Sequence, residues 1–221
     1  MKMISSDMLA ALFAAVTAAA FVVLVALSDR PEKEAGLTFT PEEISVISSA
    51  DSVMRVLTVN DSLDLSVLRD SSVDFSDADL ATEHYRRLAA LMVSTMTDPS
   101  QDGVGIAAPQ VGINRRVVAI QRFDKEGEPV EVYPCIRIIS VKGVPVPGRE
   151  GCLSIPGHYG TVLRYPQIVV SYKDIDSKKE VTDTISGYTS VIFQHETDHL
   201  DGILYTDKVM KDSLFTVPVQ H

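Results

Sequence analysis

The sequence predicts an α+β fold in which mostly antiparallel strands wrap one central helix, and three observations carry that prediction. Short β-branched segments recur between Gly and Pro turns from Arg116 to Ile185. An amphipathic helix pattern precedes them, and a second helix, carrying Gln194-His195-Glu196-Thr197-Asp198-His199, follows them. Runs of strands flanked by single helices, with no regular βαβ alternation, argue against a parallel sheet.

In chain order, Met8 to Leu27 is an uncharged run of twenty residues, preceded by Lys2 and followed by a charged stretch. At about 1.5 Å per residue it reaches about 30 Å, the thickness of a bilayer's hydrocarbon core. A retained anchor and a cleaved signal segment both fit residues 1–30, and a buried core helix fits less well. Residues 31–52 read as a charged linker in which Thr40-Pro41-Glu42-Glu43 has the N-cap, N1 proline and capping-box acid of a helix start. The catalytic domain is expected over residues 53–221. Val53 to Val59 alternates like a strand, and Ser76, with Asp77 and Asp79, opens a helix carrying Leu80, His84, Leu88, Leu91 and Met92. Strands are expected at Arg116–Arg122, Glu131–Ser140, Gln167–Tyr172 and Glu180–Ile185, and the last helix runs on to Gly202.

That last helix carries the chemistry. Residues four apart stand on one helix face, so His195 and His199 can offer two imidazoles to one cation, with Glu196 beside it. A catalytic site of this type needs a third protein ligand and one position left open for water. In H-E-x-x-H-x-x-G-x-x-H enzymes a later histidine serves, but here that position holds Tyr205. The missing ligand is therefore sought upstream, where Cys152 sits in a Gly-flanked turn and is the better candidate of the two cysteines. Cys135 reads as strand packing, and His84 as a surface or core-edge residue.

Three ordered motifs resemble the peptide deformylases: Gly103-Val104-Gly105-Ile106-Ala107-Ala108-Pro109-Gln110, Glu150-Gly151-Cys152-Leu153-Ser154, and Gln194 to Leu200. The resemblance extends from about Arg55 to Lys208. It implies a metal-dependent hydrolase that removes the formyl group from N-formylmethionyl peptides and releases formate. Cys152, His195 and His199 would hold one divalent metal, iron(II) natively, with zinc or nickel able to occupy the site. Glu196 would be general base and then acid, while Gln110 and the Leu153 N–H would stabilise the oxyanion. Val104, Gly105 and Gly151 would bind the substrate backbone, and Tyr188, Val191 and Ile192 would wall the methionine pocket. The resemblance further implies a monomeric catalytic domain. Its alternatives are a membrane-anchored formyl-peptide-binding module without turnover, favoured had Glu196 or Gln110 been lost, and a zinc peptidase, which would need a further downstream ligand.

Composition narrows the remaining classes. A formal net charge of -10 and a pI near 4.9 exclude bulk electrostatic attraction to nucleic acid. Two cysteines, one assigned to the metal, leave no disulfide framework. The apolar run makes the enzyme membrane-associated or exported, and cytoplasmic if that run does not target it.

Overall fold

The computed structural model describes residues 38–101 and 103–216. The apolar run at 8–27, expected to be an anchor or signal, lies outside them. Among the described residues no helix is long and apolar enough to cross a membrane.

Helix α1 (Pro41–Ser49) begins as its sequence dictates: the Thr40 side chain accepts from the Glu43 N–H, and the Glu43 carboxylate accepts from the Thr40 N–H. Ile47 then enters the core, so part of the stretch read as linker is packed structure. Helix α2 (Ser62–Leu68) is capped by Asp61. The helix expected from Ser76 is two: α3 (Asp77–Leu80) and α4 (Glu83–Met96). The break falls at Thr82, whose extended backbone and side chain, accepting from the Tyr85 N–H, start a new helix. Helical spacing continues across such a break, so periodicity alone could not locate it.

Three antiparallel three-stranded sheets follow. The first has the order β1 (Gly105–Ala107), β2 (Val117–Gln121), β3 (Val130–Pro134). The second pairs β4 (Arg137–Lys142), β7 (Gln167–Lys173) and β8 (Glu180–Ser186). The third pairs β5 (Val146–Cys152), β6 (Ile155–Arg164) and β9 (Phe215–Thr216). Helix α5 (Gly187–Leu200) runs among them.

Strand β2 shows why two helices are needed. Alternate residues point to opposite faces of a strand. Val117 and Ala119 pack with Leu88, Met92 and Met96 of α4, while Val118 and Ile120 pack with Ile192, Phe193 and Leu200 of α5. Both faces are thus covered, and β1, at the edge of this sheet, is held against α5.

Three expectations are corrected. Val53–Val59 joins no sheet; its N–H groups go singly to Thr95, Gln110, Asp64 and Ser154, from Met54, Leu57, Thr58 and Val59. The segment Glu131–Ser140 is two strands, because Pro134 lacks an N–H and Cys135 takes φ 55°, which turns the chain out of the first sheet. Cys135 is therefore a buried corner residue rather than a strand residue, its thiol 3.6 Å from the Phe75 carbonyl. The β5–β6 hairpin went unread in a segment rich in Gly and Pro, and Cys152 ends its first strand, just before a turn at Leu153-Ser154. His84 is half-buried with its ring edge-on to Phe39, as a core-edge residue would be.

Candidate metal and active site

Helix α5 is an unusual buried helix, since Ser190, Gln194, His195, Glu196, Thr197 and His199 are all withdrawn from solvent. Buried polar groups need partners. Ser190 donates to the Tyr165 carbonyl at 2.9 Å, Gln194 accepts from the Tyr165 N–H and donates to its carbonyl, and Thr197 donates to Phe193. These bonds fix the helix against the strand end at Tyr165 and so set the direction of its two imidazoles.

The H-E-x-x-H spacing places His195 and His199 side by side, ring centroids 5.2 Å apart. The β5–β6 hairpin brings Cys152 to them from across the sequence. Its Sγ is 3.2 Å from His199 Nε2, and the donor atoms of Cys152, His195 and His199 all lie within 4.8 Å of one another. One thiol and two imidazoles at such separations suit a four-coordinate divalent cation with one open position. Burial acts against charge on His195, yet Cys152 and Glu150 hold its pKa well above the ordinary histidine value. Burial, followed by the neighbouring His195, pushes His199 well below it.

Behind His195 runs a chain of buried charge. Its Nδ1 meets Glu150 Oε2 at 2.8 Å, leaving Nε2 for the other donors. Arg164 grips Glu150 with two bonds of 2.7 and 2.9 Å and reaches Asp198 at 2.6 Å, where Lys208 also binds. Burial would raise the Glu150 pKa, but Arg164 and His195 outweigh it and hold it at about 2. Tyr205, at the position where a third histidine was sought, stacks on His195 at 5.8 Å instead. Such outer partners orient a ligand and keep its tautomer fixed.

The site opens into a cleft of about 590 Å³. Of the residues singled out in the sequence, Val104, Gly105, Gln110, Gly151, Cys152, Leu153, Tyr188, Val191, Ile192, His195 and Glu196 line it, and fully buried His199 lies behind. Gln110 Oε1 accepts from the Ala107 N–H at 2.8 Å, which turns its NH₂ towards Ser154 Oγ at 3.3 Å and Cys152 Sγ at 3.5 Å. Glu196 is buried, and its Oε2 has no hydrogen-bond partner among the described residues. Burial pushes its pKa up to about 7, opposed by His195. A carboxyl group beside a cation cluster and poised near neutrality is suited to proton transfer.

Gly105 is where backbone meets this carboxyl. A Cβ there would lie 2.6 Å from Glu196 Oε1 and 2.7 Å from Ile192 Cγ2. Gly105→Ala is therefore expected to displace the carboxylate and lower kcat by about 100-fold, the scale of a misplacement near 1 Å. Metal content, read by elemental analysis, should be unchanged.

From the sequence, Glu150, Ser154 and Asp198 stand out only as motif letters, and Arg149 and Arg164 are given no role. A charged residue beside a ligand in a motif is a usable signal for Glu150. Arg164 has none, because its place is set by the β5–β6 register.

A cysteine and two histidines beside a buried carboxyl in a cleft define a mononuclear metallohydrolase. The sequence profile of the polypeptide deformylases matches residues 53–214, and the chain belongs to that family. A peptide deformylase of Symbiobacterium thermophilum is 46% identical over 125 residues, which cover 56% of this chain and 54% of the relative, so little more than half of that relative's length is matched. One of Leptospira biflexa is 36% identical over 156 residues, 67% of this chain and 86% of the relative. Among solved structures, a peptide deformylase of Synechococcus elongatus in complex with actinonin superposes with TM-score 0.64 at 34% identity, covering 74% of this chain and 84% of the other. A Met-Ala-Ser-bound class I type b enzyme of Acinetobacter baumannii gives TM-score 0.63 at 30% identity, covering 71% and 98%.

Proposed function

We propose that this enzyme hydrolyses the formyl amide of N-formylmethionyl peptides, with Cys152, His195 and His199 holding one divalent cation, iron(II) natively and zinc or nickel as substitutes. The observation that carries the proposal is the convergence of these three donors, Glu196 and Gln110 on one cleft. When bound, the cation acidifies a coordinated water and polarises the formyl oxygen.

Glu196 takes the proton released as water attacks the formyl carbon and returns it to the departing amine, so that formate and a free methionyl N-terminus result. The Gln110 NH₂, aimed by the bond that its Oε1 accepts from the Ala107 N–H, and the Leu153 N–H donate to the developing oxyanion. Gln110→Ala should lower kcat by about 10²–10³, measured as formate release at saturating peptide. Two edge strands border the cleft, β1 with Gly105, preceded by Val104, and β5 with Gly151. An extended peptide pairs with such edges through its backbone, tolerating varied side chains. Val104, Tyr188, Val191 and Ile192 line the space beside Glu196 and receive the methionine side chain; Tyr188 lies against Phe123, ring centroids 5.5 Å apart. That the Acinetobacter relative is solved with Met-Ala-Ser bound supports a methionyl peptide as the ligand here. Residues 8–27 would tether the enzyme to a membrane, an assignment that rests on the length and lack of charge of that run.

Because Glu196 must be ionised to act, kcat/KM is expected to rise with pH through an acid limb at or below about 7, the bound cation adding to the carboxylate's stability. The metal-free chain should show the linked stability effect. A folded-state pKa raised from 4.5 to about 7 gives stability that is complete below 4.5 and lost as pH rises to about 7. Glu150 acts in the opposite sense and in a separate window, its contribution present above 4.5 and lost towards about 2. Chemical denaturation of metal-free wild type and Glu196→Gln across pH 4.5 to 7 separates the two, since only the wild type should carry the Glu196 slope.

Product analysis tests the reaction itself. The full chain, loaded anaerobically with iron(II) and given formyl-Met-Ala-Ser, should yield formate and Met-Ala-Ser. Formylmethionine as product would instead mean cleavage of the peptide bond, as by a zinc peptidase.

A further inference from the structure

Arg149 has no part in the chemistry above, yet it lines the same cleft and is the one lysine or arginine among the described residues that does so. Its Cζ lies 4.4 Å from the Tyr159 ring centroid and 4.6 Å from that of Phe215, and the two rings lie against each other at 5.9 Å and 22°. Cation–π contact uses the face of the guanidinium and leaves its in-plane N–H donors free. None of those donors bonds to a described residue, and no described carboxylate pairs with them. Arg164, behind the centre rather than in the cleft, is already committed to Glu150.

The placement of this group is specific. Arg149 is three residues before Cys152 on β5, the edge strand along which the substrate backbone is read to run. Three strand residues span about 10 Å, and an extended peptide covers the same distance in three residues. Tyr159, which faces Gly151 across the hairpin, and Phe215, its partner on β9, hold the guanidinium against this strand. A guanidinium that lines the cleft with no described acid on its N–H donors matches a carboxylate.

We propose that Arg149 is a specificity-determining residue that selects formylated peptides carrying a carboxylate at about the third residue, either an acidic side chain or the free C-terminus of a tripeptide. The proposal rests on the deformylase reading of the site. Without this local cation, a protein of net charge -10 would repel such substrates.

The test uses the full iron(II)-loaded chain, as wild type, Arg149→Gln and Arg149→Glu. Formate release is measured for formyl-Met-Ala-Asp amide against formyl-Met-Ala-Asn amide, and for formyl-Met-Ala-Ala acid against its amide. An exposed ion pair predicts a carboxylate preference of about three- to five-fold in kcat/KM, carried by KM and reduced in high salt. The ratio should fall to about one in Arg149→Gln and invert in Arg149→Glu. Preference in the first pair alone supports selection of an acidic side chain, and in the second alone supports selection of the C-terminus. A ratio near one in the wild type, or one retained in Arg149→Gln while all peptides slow together, overturns the proposal and assigns Arg149 to pinning β9; the deformylase reading would survive. No formate from any peptide overturns both.

Discussion

Glu196→Gln is expected to lower kcat by about 10²–10⁴ while metal stays bound, because the substitution keeps the side chain's shape and removes only its ability to carry a proton. Three features concentrate the effect at this residue. Among the described residues Glu196 is the one carboxyl that lines the cleft beside the donor cluster and is not engaged by an arginine; Glu150, the other described acid there, is locked by Arg164. One oxygen of Glu196 has no described partner, so it has a lone pair available for a proton in transit. Burial raises its pKa to about 7, where a base can both accept and return a proton. Formate release and metal analysis on the same sample distinguish lost proton transfer from a lost ion. A parallel loss of metal would show that the carboxyl supports the ligands instead.

The second large effect is expected at Arg164, far from the cleft surface. Arg164→Leu removes the partner of Glu150 and Asp198, whose side chains are only 5% and 14% exposed. Removing one member of a buried ion group leaves uncompensated charge and costs about 3–5 kcal/mol. For a domain of this size that corresponds to a fall in Tm of roughly 10 °C. Glu150, freed from Arg164, would hold His195 less firmly, and metal affinity should drop by about 10–100-fold. Thermal unfolding with and without added metal reads both quantities. Unchanged metal affinity in a destabilised variant would mean that Glu150 needs no support to orient His195.

How far these features were legible before the structure depends on how locally each is encoded. The two histidines and Glu196 sit within one helical turn, so spacing alone defines their shared face. The capping box at Thr40 and Glu43 is equally local, and the structure forms both of its hydrogen bonds. Cys152 was legible as a candidate through its neighbours, but the hairpin that delivers it was not, because β5 contains Pro147, Gly148 and Gly151, which depress strand propensity. The break at Thr82 and the turn at Cys135 are decided by single backbone conformations inside otherwise continuous patterns. Arg164 and Arg149 owe their positions to strand pairing across the hairpin, a long-range property that no short motif contains. Ser190 is not signalled by the helix pattern, and its bond to the Tyr165 carbonyl explains how a hydroxyl is accommodated in a buried helix.

Catalytic turnover at the Cys152, His195 and His199 centre separates an enzyme from a module that only binds. The decisive measurement is the amount of formate released per chain from a formyl-Met peptide by the iron(II)-loaded full chain, beside the metal-stripped chain and Glu196→Gln. Many equivalents of formate from the loaded wild type, with little from either control, is the predicted result. One divalent ion bound per chain with no formate released would contradict it and identify a binding module.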